Sequence, residues 1–125
     1  MTYIRKKPKR ADSGLHTLAI DFDGVLMDKT NSVLNLSSAG LCIGYPMLGV
    51  EEAIKRLASR YELVVFSARA SVPEGREAIE KWLELWRLAH YFKFVTHEKI
   101  NALAYLDDRG VRFENWGSTL EYFNA

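Results

Sequence analysis

Ala19-Ile20-Asp21-Phe22-Asp23-Gly24-Val25-Leu26 is the stretch on which the reading of this chain turns. With Leu15 and Leu18 before it, it forms an apolar run that ends on two carboxylates two residues apart, followed by a glycine. Packing alone does not ask for that ending. Asp has poor strand propensity, and a second Asp adds like-charge repulsion unless a cation or a proton separates the pair. A strand that hands carboxylates to a metal or to a reacting phosphorus does ask for it. Gly24 then lets the backbone turn sharply away. The plainer alternative is an acidic strand end with a glycine turn, a common arrangement. Three later stretches weigh against it.

Downstream, residues 27–49 hold Asn31, Ser32, Asn35, Ser37, Ser38, Gly40, Gly44 and Pro46 around short apolar pieces. No helical period is present, so a loop or small β-hairpin over the strand's carboxyl end is expected. A loop of that length inside a compact domain is usually functional or mobile. Residues 50–60 follow as a helix, with Val50, Ala53, Ile54, Leu57 and Ala58 at the spacing of one buried face. Glu51 and Glu52 at its start and Arg56 and Arg60 near its end suit the helix dipole.

Glu62-Leu63-Val64-Val65-Phe66-Ser67 is an unbroken apolar run that stops at a hydroxyl. Continuous apolarity implies burial on both faces, as in a parallel sheet covered by helices. Residues 73–90 read as a second helix that opens on Pro73-Glu74. Its inner face is Ala78, Ile79, Trp82, Leu83, Trp86 and Ala89, and both tryptophans read as core. Residues 91–95 and 102–106 are expected as strands, the second running into Asp107-Asp108. A short edge strand over 111–113 and a last helix over 119–123, capped by Ser118, complete the order. Alternating β and α elements with buried strands imply an α/β fold built on a doubly wound parallel sheet. In such sheets the site lies at the carboxyl ends of the strands. Asp21, Asp23, Ser67, Asp107 and Asp108 all fall there.

The 125 residues suit one domain, read as a flexible basic arm over residues 1–14 and a folded body over 15–125. Composition is that of an ordinary globular protein, and the formal charge of +1 points to no particular partner. That balance hides an asymmetry. Arg5, Lys6, Lys7, Lys9 and Arg10 crowd the first ten residues, and setting them aside leaves the remainder net negative. Such an arm either contacts nucleic acid or stays solvated. Cys42 is the one cysteine, which excludes an internal disulfide and a zinc cluster of its own. No apolar run approaches the roughly 18 residues of a membrane span. The basic start leads into Ala11-Asp12-Ser13-Gly14 rather than an apolar core, so no secretory signal is read there and a cytoplasmic location is the default.

Four carboxylates in a small volume need a cation, and an all-oxygen donor set selects a hard one, Mg²⁺ first. An ionised Asp21 can attack phosphorus. Asp23 can protonate the leaving oxygen and then activate water. Ser67 can donate to a phosphoryl oxygen, and Lys99, in the loop before the strand that ends at Asp107, can offset growing charge.

Asp21-Phe22-Asp23-Gly24-Val25-Leu26, Ser67 after an apolar strand, Lys99, and Asp107-Asp108 resemble, in order, the four motifs of the haloacid dehalogenase superfamily. They span residues 15–108. The resemblance implies a three-layer, Rossmann-like αβα fold and a Mg²⁺-dependent phosphatase working through an aspartyl-phosphate. Asp21 would be nucleophile, Asp23 acid and base, Ser67 and Lys99 the phosphate holders. Asp21, the Asp23 main-chain carbonyl, and Asp107 or Asp108 would bind the metal, with Gly24, Ala68 and Arg69 on the substrate side. Phe66-Ser67-Ala68-Arg69 and Asp107-Asp108-Arg109 are similar to the small capless members, among them the phosphatase half of polynucleotide kinase-phosphatases. Arg69 would bind a second substrate phosphate or the leaving group, or else form an ion pair with Asp107 or another acid. No stretch leaves room for a cap domain. An open site implies a bulky phosphorylated substrate, such as a nucleic-acid end, or a cap lent by a second subunit of a homo-oligomer. The competing class is a non-catalytic module that binds metal or phosphate.

Overall fold

The computed structural model describes residues 16–31 and 44–125, and the expectations for the basic arm, for residues 32–43 and for Cys42 lie outside them. Four strands form one sheet: β1 (Thr17–Asp21), β4 (Glu62–Phe66), β5 (Phe92–Thr96) and β6 (Ala104–Leu106), in the order β5-β4-β1-β6. Every neighbouring pair runs parallel. Two further strands, β2 (Met27–Asp28) and β3 (Tyr45–Pro46), pair antiparallel within the stretch expected as a loop or small β-hairpin.

The two central strands are buried through their middle residues, as their apolar runs imply. Leu18, Ala19 and Ile20 of β1 and Leu63, Val64 and Val65 of β4 are all buried. Their register, Leu18 against Leu63 and Ile20 against Val65, sets these four on one face. The helices α1 (Val50–Ala58) and α2 (Pro73–Leu85) pack on that face through Val50, Ile54, Ile79, Trp82 and Leu83. Trp82 is core, as expected. It meets the ring of Phe22 edge to face at 4.9 Å and donates its indole N–H to the Gly44 carbonyl at 2.8 Å. The opposite face carries Ala19, Val64, Phe66 and Tyr105. Tyr105 ties the β5–β6 connection to it, since its hydroxyl donates to the Ile100 carbonyl and accepts from the Ile100 N–H.

Several boundaries differ from those read in the sequence. Ala53 is exposed, because the buried stripe of α1 is narrower than the apolar one. Helix α2 stops at Leu85; Arg87 then takes a positive φ of 60° and a 3₁₀ turn follows at Ala89–Tyr91. Residues 111–113 are not a strand. The last helix, α3, spans Trp116–Tyr122 and is capped by Asn115, whose side chain accepts from the Ser118 N–H at 2.8 Å. Ser118 therefore lies inside the helix rather than at its cap. None of its residues is buried. No helix among the described residues is long and apolar enough to cross a membrane.

From β1 the chain reaches β4 and β5 on one side and β6 on the other. The carboxyl end of β1, flanked by the ends of β4 and β6, is therefore where the direction of winding reverses. That is where open parallel sheets form their clefts.

Candidate active site

The turn after β1 is built on one carbonyl. Phe22 O accepts from the N–H groups of Leu26 and Met27 at 3.1 and 2.9 Å, and Gly24 N–H closes the loop onto Met27 O at 2.8 Å. Gly24 sits at φ +84°, a conformation open to glycine at little cost. A Cβ there would fall 2.9 Å from Asp108 Cγ and 3.2 Å from Lys29 Cε. The bare Cα thus lets the Asp108 and Lys29 side chains lie close against Gly24, which the resemblance gives to the substrate side.

Asp21 at the end of β1 and Asp107 and Asp108 just past β6 come together, each offering an oxygen within 4.8 Å of the others. Asp21 is half-buried and accepts from the Phe22 N–H at 2.9 Å. Burial pushes its carboxyl up to about 6; the charges of Asp107, Asp108 and Asp23 push the same way, and the Phe22 hydrogen bond opposes them. Asp107 Oδ1 accepts from the Arg109 and Gly110 N–H groups at 2.5 and 2.7 Å, so its carboxylate is fixed by its own turn. Asp108 is paired with Lys29, Nζ to Oδ2 at 2.9 Å, and the hydrogen bond from Lys29 holds its carboxyl below the ordinary range against the opposing effect of burial.

This donor set suits a hard divalent cation. It is all oxygen, it gathers three carboxylates from two neighbouring strand ends, and it raises the Asp21 carboxyl through burial and crowding, which a bound cation would relieve.

The Asp23 carboxylate is not part of that cluster. Arg69 takes it by Nε to Oδ2 at 2.8 Å and Nη2 to Oδ1 at 3.0 Å. Of the alternatives open for Arg69 in the sequence, the structure therefore shows an ion pair, with Asp23 as the acid. Arg69 stands on a 3₁₀ turn, Ala68–Ser71, that begins where β4 ends. Ser67 caps this turn: it is buried, its Oγ accepts from Arg69 N–H at 3.2 Å, and its own N–H donates to Thr96 O at 2.9 Å. Gly75 of α2 presses on the same turn, and a Cβ there would meet the Arg69 carbonyl carbon at 2.7 Å. Ala68 is exposed beside them.

Lys99 is exposed in the β5–β6 connection, with its Nζ 5.6 Å from the centroid of the Tyr105 ring. Among the described residues, the cations paired with carboxylates at this end of the sheet are Lys29 and Arg69. Sequence reasoning missed Lys29. Nothing in its neighbours marks it; only the tight turn from Phe22 to Met27 doubles the chain back so that residue 29 faces residue 108. His97 is exposed. A cleft of about 490 Å³ at the amino ends of β4 and β5 is lined by Lys55, Ser59, Tyr61, Glu62, His90 and Lys93, among others. It lies at the far end of the sheet from the carboxylates, and its lining of mixed sign offers no comparable cluster.

Comparison of the chain with protein-family models, with characterised proteins and with solved structures finds no match.

Proposed function

We propose that this protein is a Mg²⁺-dependent phosphatase that hydrolyses a phosphomonoester through an aspartyl-phosphate on Asp21, on a three-layer haloacid dehalogenase-like fold without a cap. The observation that carries the reading is the gathering of Asp21, Asp107 and Asp108 at the end of a central parallel strand, with Asp23 held separately two residues on. One cluster suits a cation, and the separate carboxylate suits proton transfer. A purely structural acidic turn would not need that division of labour.

In this reading Asp21, Asp107 and Asp108 would hold the cation, which would supply charge neutralisation to the attacking carboxylate and the phosphoryl group. The Asp21 oxygen attacks phosphorus, and the ester oxygen leaves with a proton from Asp23. Water then attacks the phosphorus of the acyl-phosphate, giving up its proton to Asp23. Inorganic phosphate departs and Asp21 is regenerated. Arg69 fixes the direction in which Asp23 presents its carboxyl group, and Ser67 fixes Arg69. Ser67 and Lys99 keep the phosphate contacts that the resemblance gives them, with Ala68 bordering the substrate.

The test is turnover of p-nitrophenyl phosphate with Mg²⁺, with and without EDTA, in wild type and Asp21→Asn. Metal-dependent turnover lost in Asp21→Asn is the expected result. Wild-type turnover in Asp21→Asn would overturn the mechanism. No turnover of any phosphomonoester by wild type, with Mg²⁺ still bound, would favour a non-catalytic module.

A further inference from the structure

Lys29 is a charged residue of the carboxylate end that the mechanism above leaves without a task. Its ammonium lies 2.9 Å from Asp108 Oδ2, inside the group proposed to hold the cation. Its main chain is fixed: the Phe22–Met27 turn precedes it, the Asp23–Met27 bridge anchors that turn, and Asp28 accepts from both the N–H and the hydroxyl of Thr30 just after it. Its side chain is not fixed in the same way. The Lys29 and Asp108 side chains are 40% and 30% exposed, so the pair can open without disturbing the core. A lysine is a compact charge on a four-carbon stem and can change partner by rotating that stem. Arg69, planar and doubly bonded to Asp23, is built for the opposite purpose.

With Asp21 ionised, three carboxylates and one ammonium leave two negative charges, the charge that one divalent cation neutralises. Without Lys29 the loaded carboxylate group itself would keep one negative charge, which opposes the approach of a phosphate. We propose, resting on the phosphatase reading, that Lys29 is the internal counter-ion of this site: it competes with the divalent cation for Asp108 and, once displaced, contacts the substrate's phosphoryl oxygens. A cation and a lysine ammonium repel one another at this range, so the pair weakens metal binding while it strengthens anion binding. A lysine that merely braced the fold would do neither.

Calorimetric titration with Mg²⁺ alone tests the first half, using wild type, Lys29→Met, Lys29→Arg and Lys93→Met. Lys93 is the control, since it pairs with Glu62 at 2.8 Å at the other end of the sheet and carries the same charge. Lys29→Met is expected to bind Mg²⁺ about 3- to 10-fold more tightly, the range that loss of one half-exposed ion pair allows. Lys29→Arg should return toward wild type and Lys93→Met should match it. At saturating Mg²⁺, inorganic phosphate should bind Lys29→Met more weakly than wild type. Unchanged or weaker Mg²⁺ binding in Lys29→Met overturns the competition and leaves the phosphatase reading standing. Unchanged phosphate binding overturns the second role. Absence of Mg²⁺ binding in every protein, wild type included, overturns both the inference and the reading beneath it.

Discussion

The guanidinium of Arg69 grips the carboxylate of Asp23 through two bonds, 2.8 and 3.0 Å long, across 46 residues of sequence. Two parallel bonds fix a plane as well as a distance. The carboxyl group two residues beyond the proposed nucleophile is thereby held in one orientation, and the turn that carries Arg69 is itself held by Ser67 and Gly75.

If Arg69 works through Asp23, its loss should be felt where Asp23 is needed. Arg69→Ala is expected to lower turnover of an alkyl phosphate by about 10²-fold, the lower end of what a general acid contributes. Turnover of p-nitrophenyl phosphate should fall far less. Arg69→Lys should recover only part, because an ammonium cannot make both bonds. Equal losses on the two esters would make Arg69 a phosphate binder instead.

Asp23 itself gives the sharper contrast. An alkyl ester leaves as a strongly basic alkoxide, whereas p-nitrophenolate leaves without help. Asp23→Asn should therefore lose about 10²–10⁴-fold on the alkyl ester and much less on the aryl one. Phosphate should also accumulate on Asp21, detectable by intact mass, because the attacking water lacks its base. Asp21→Asn should lose both esters and trap nothing. Equal losses in Asp23→Asn, with no trapped phosphate, would leave Asp23 without a part in proton transfer.

The raised carboxyl of Asp21 makes stability depend on pH. In the native protein it titrates at about 6 against 3.8 in its unperturbed state, so the fold gains from its proton below about pH 4 and loses that gain as pH rises through 6. A shift of this size corresponds to roughly 3 kcal/mol, or about 1–2 kcal/mol once solvent screening of a half-buried group is allowed for. Asp108 has the opposite sign, but its lowered titration places its effect below pH 4. Metal-free Asp21→Asn should melt a few degrees above wild type at pH 7, and the two should converge near pH 4. Mg²⁺ should raise the wild-type midpoint more than that of the variant. A lower midpoint for Asp21→Asn at pH 7 would show that the carboxylate stabilises the fold.

Two glycines hold the site's cations in place, and each should fail in its own way. In Gly75→Ala the new Cβ would press on the Arg69 main chain, which is backbone and cannot rotate aside. A loss of about 1–3 kcal/mol is expected from overpacking, together with the ester-dependent loss of Arg69→Ala. In Gly24→Ala the Cβ would press on the Asp108 carboxylate, at a φ of +84°. Mg²⁺ binding should fall there, with the Arg69–Asp23 pair intact. Thermal melts, calorimetry and the two-ester comparison separate these outcomes.

Much of the scaffold was legible because burial leaves a pattern in sequence. Leu63, Val64 and Val65 had to be covered on both faces, and the stripe of Ile79, Trp82 and Leu83 had to face a sheet. Asp21, Asp23, Ser67, Asp107 and Asp108 were legible as chemistry because polar groups at the ends of apolar strands are costly unless they are used or paired. The ends of the chain's weaker elements were not legible. The apolar residues Val111 and Phe113 suggested a strand, but short runs carry little periodic signal, and the segment has no neighbour in the sheet. Asn115 and Ser118 are both good caps, and only backbone geometry chose Asn115.

An α/β chain with carboxylates at the ends of parallel strands follows from residue order alone, since hydrophobic periodicity and strand-end polarity are local properties. Which cation meets which carboxylate was decided by tertiary structure alone. Lys29 reaches Asp108 because a glycine turn folds back on Phe22 O, and Arg69 reaches Asp23 because β1 and β4 lie side by side in register. Long, flexible side chains at exposed positions carry no periodic mark of their partners. Their pairing follows from where the backbone places them, and a reading of residue types along the chain contains no such distance.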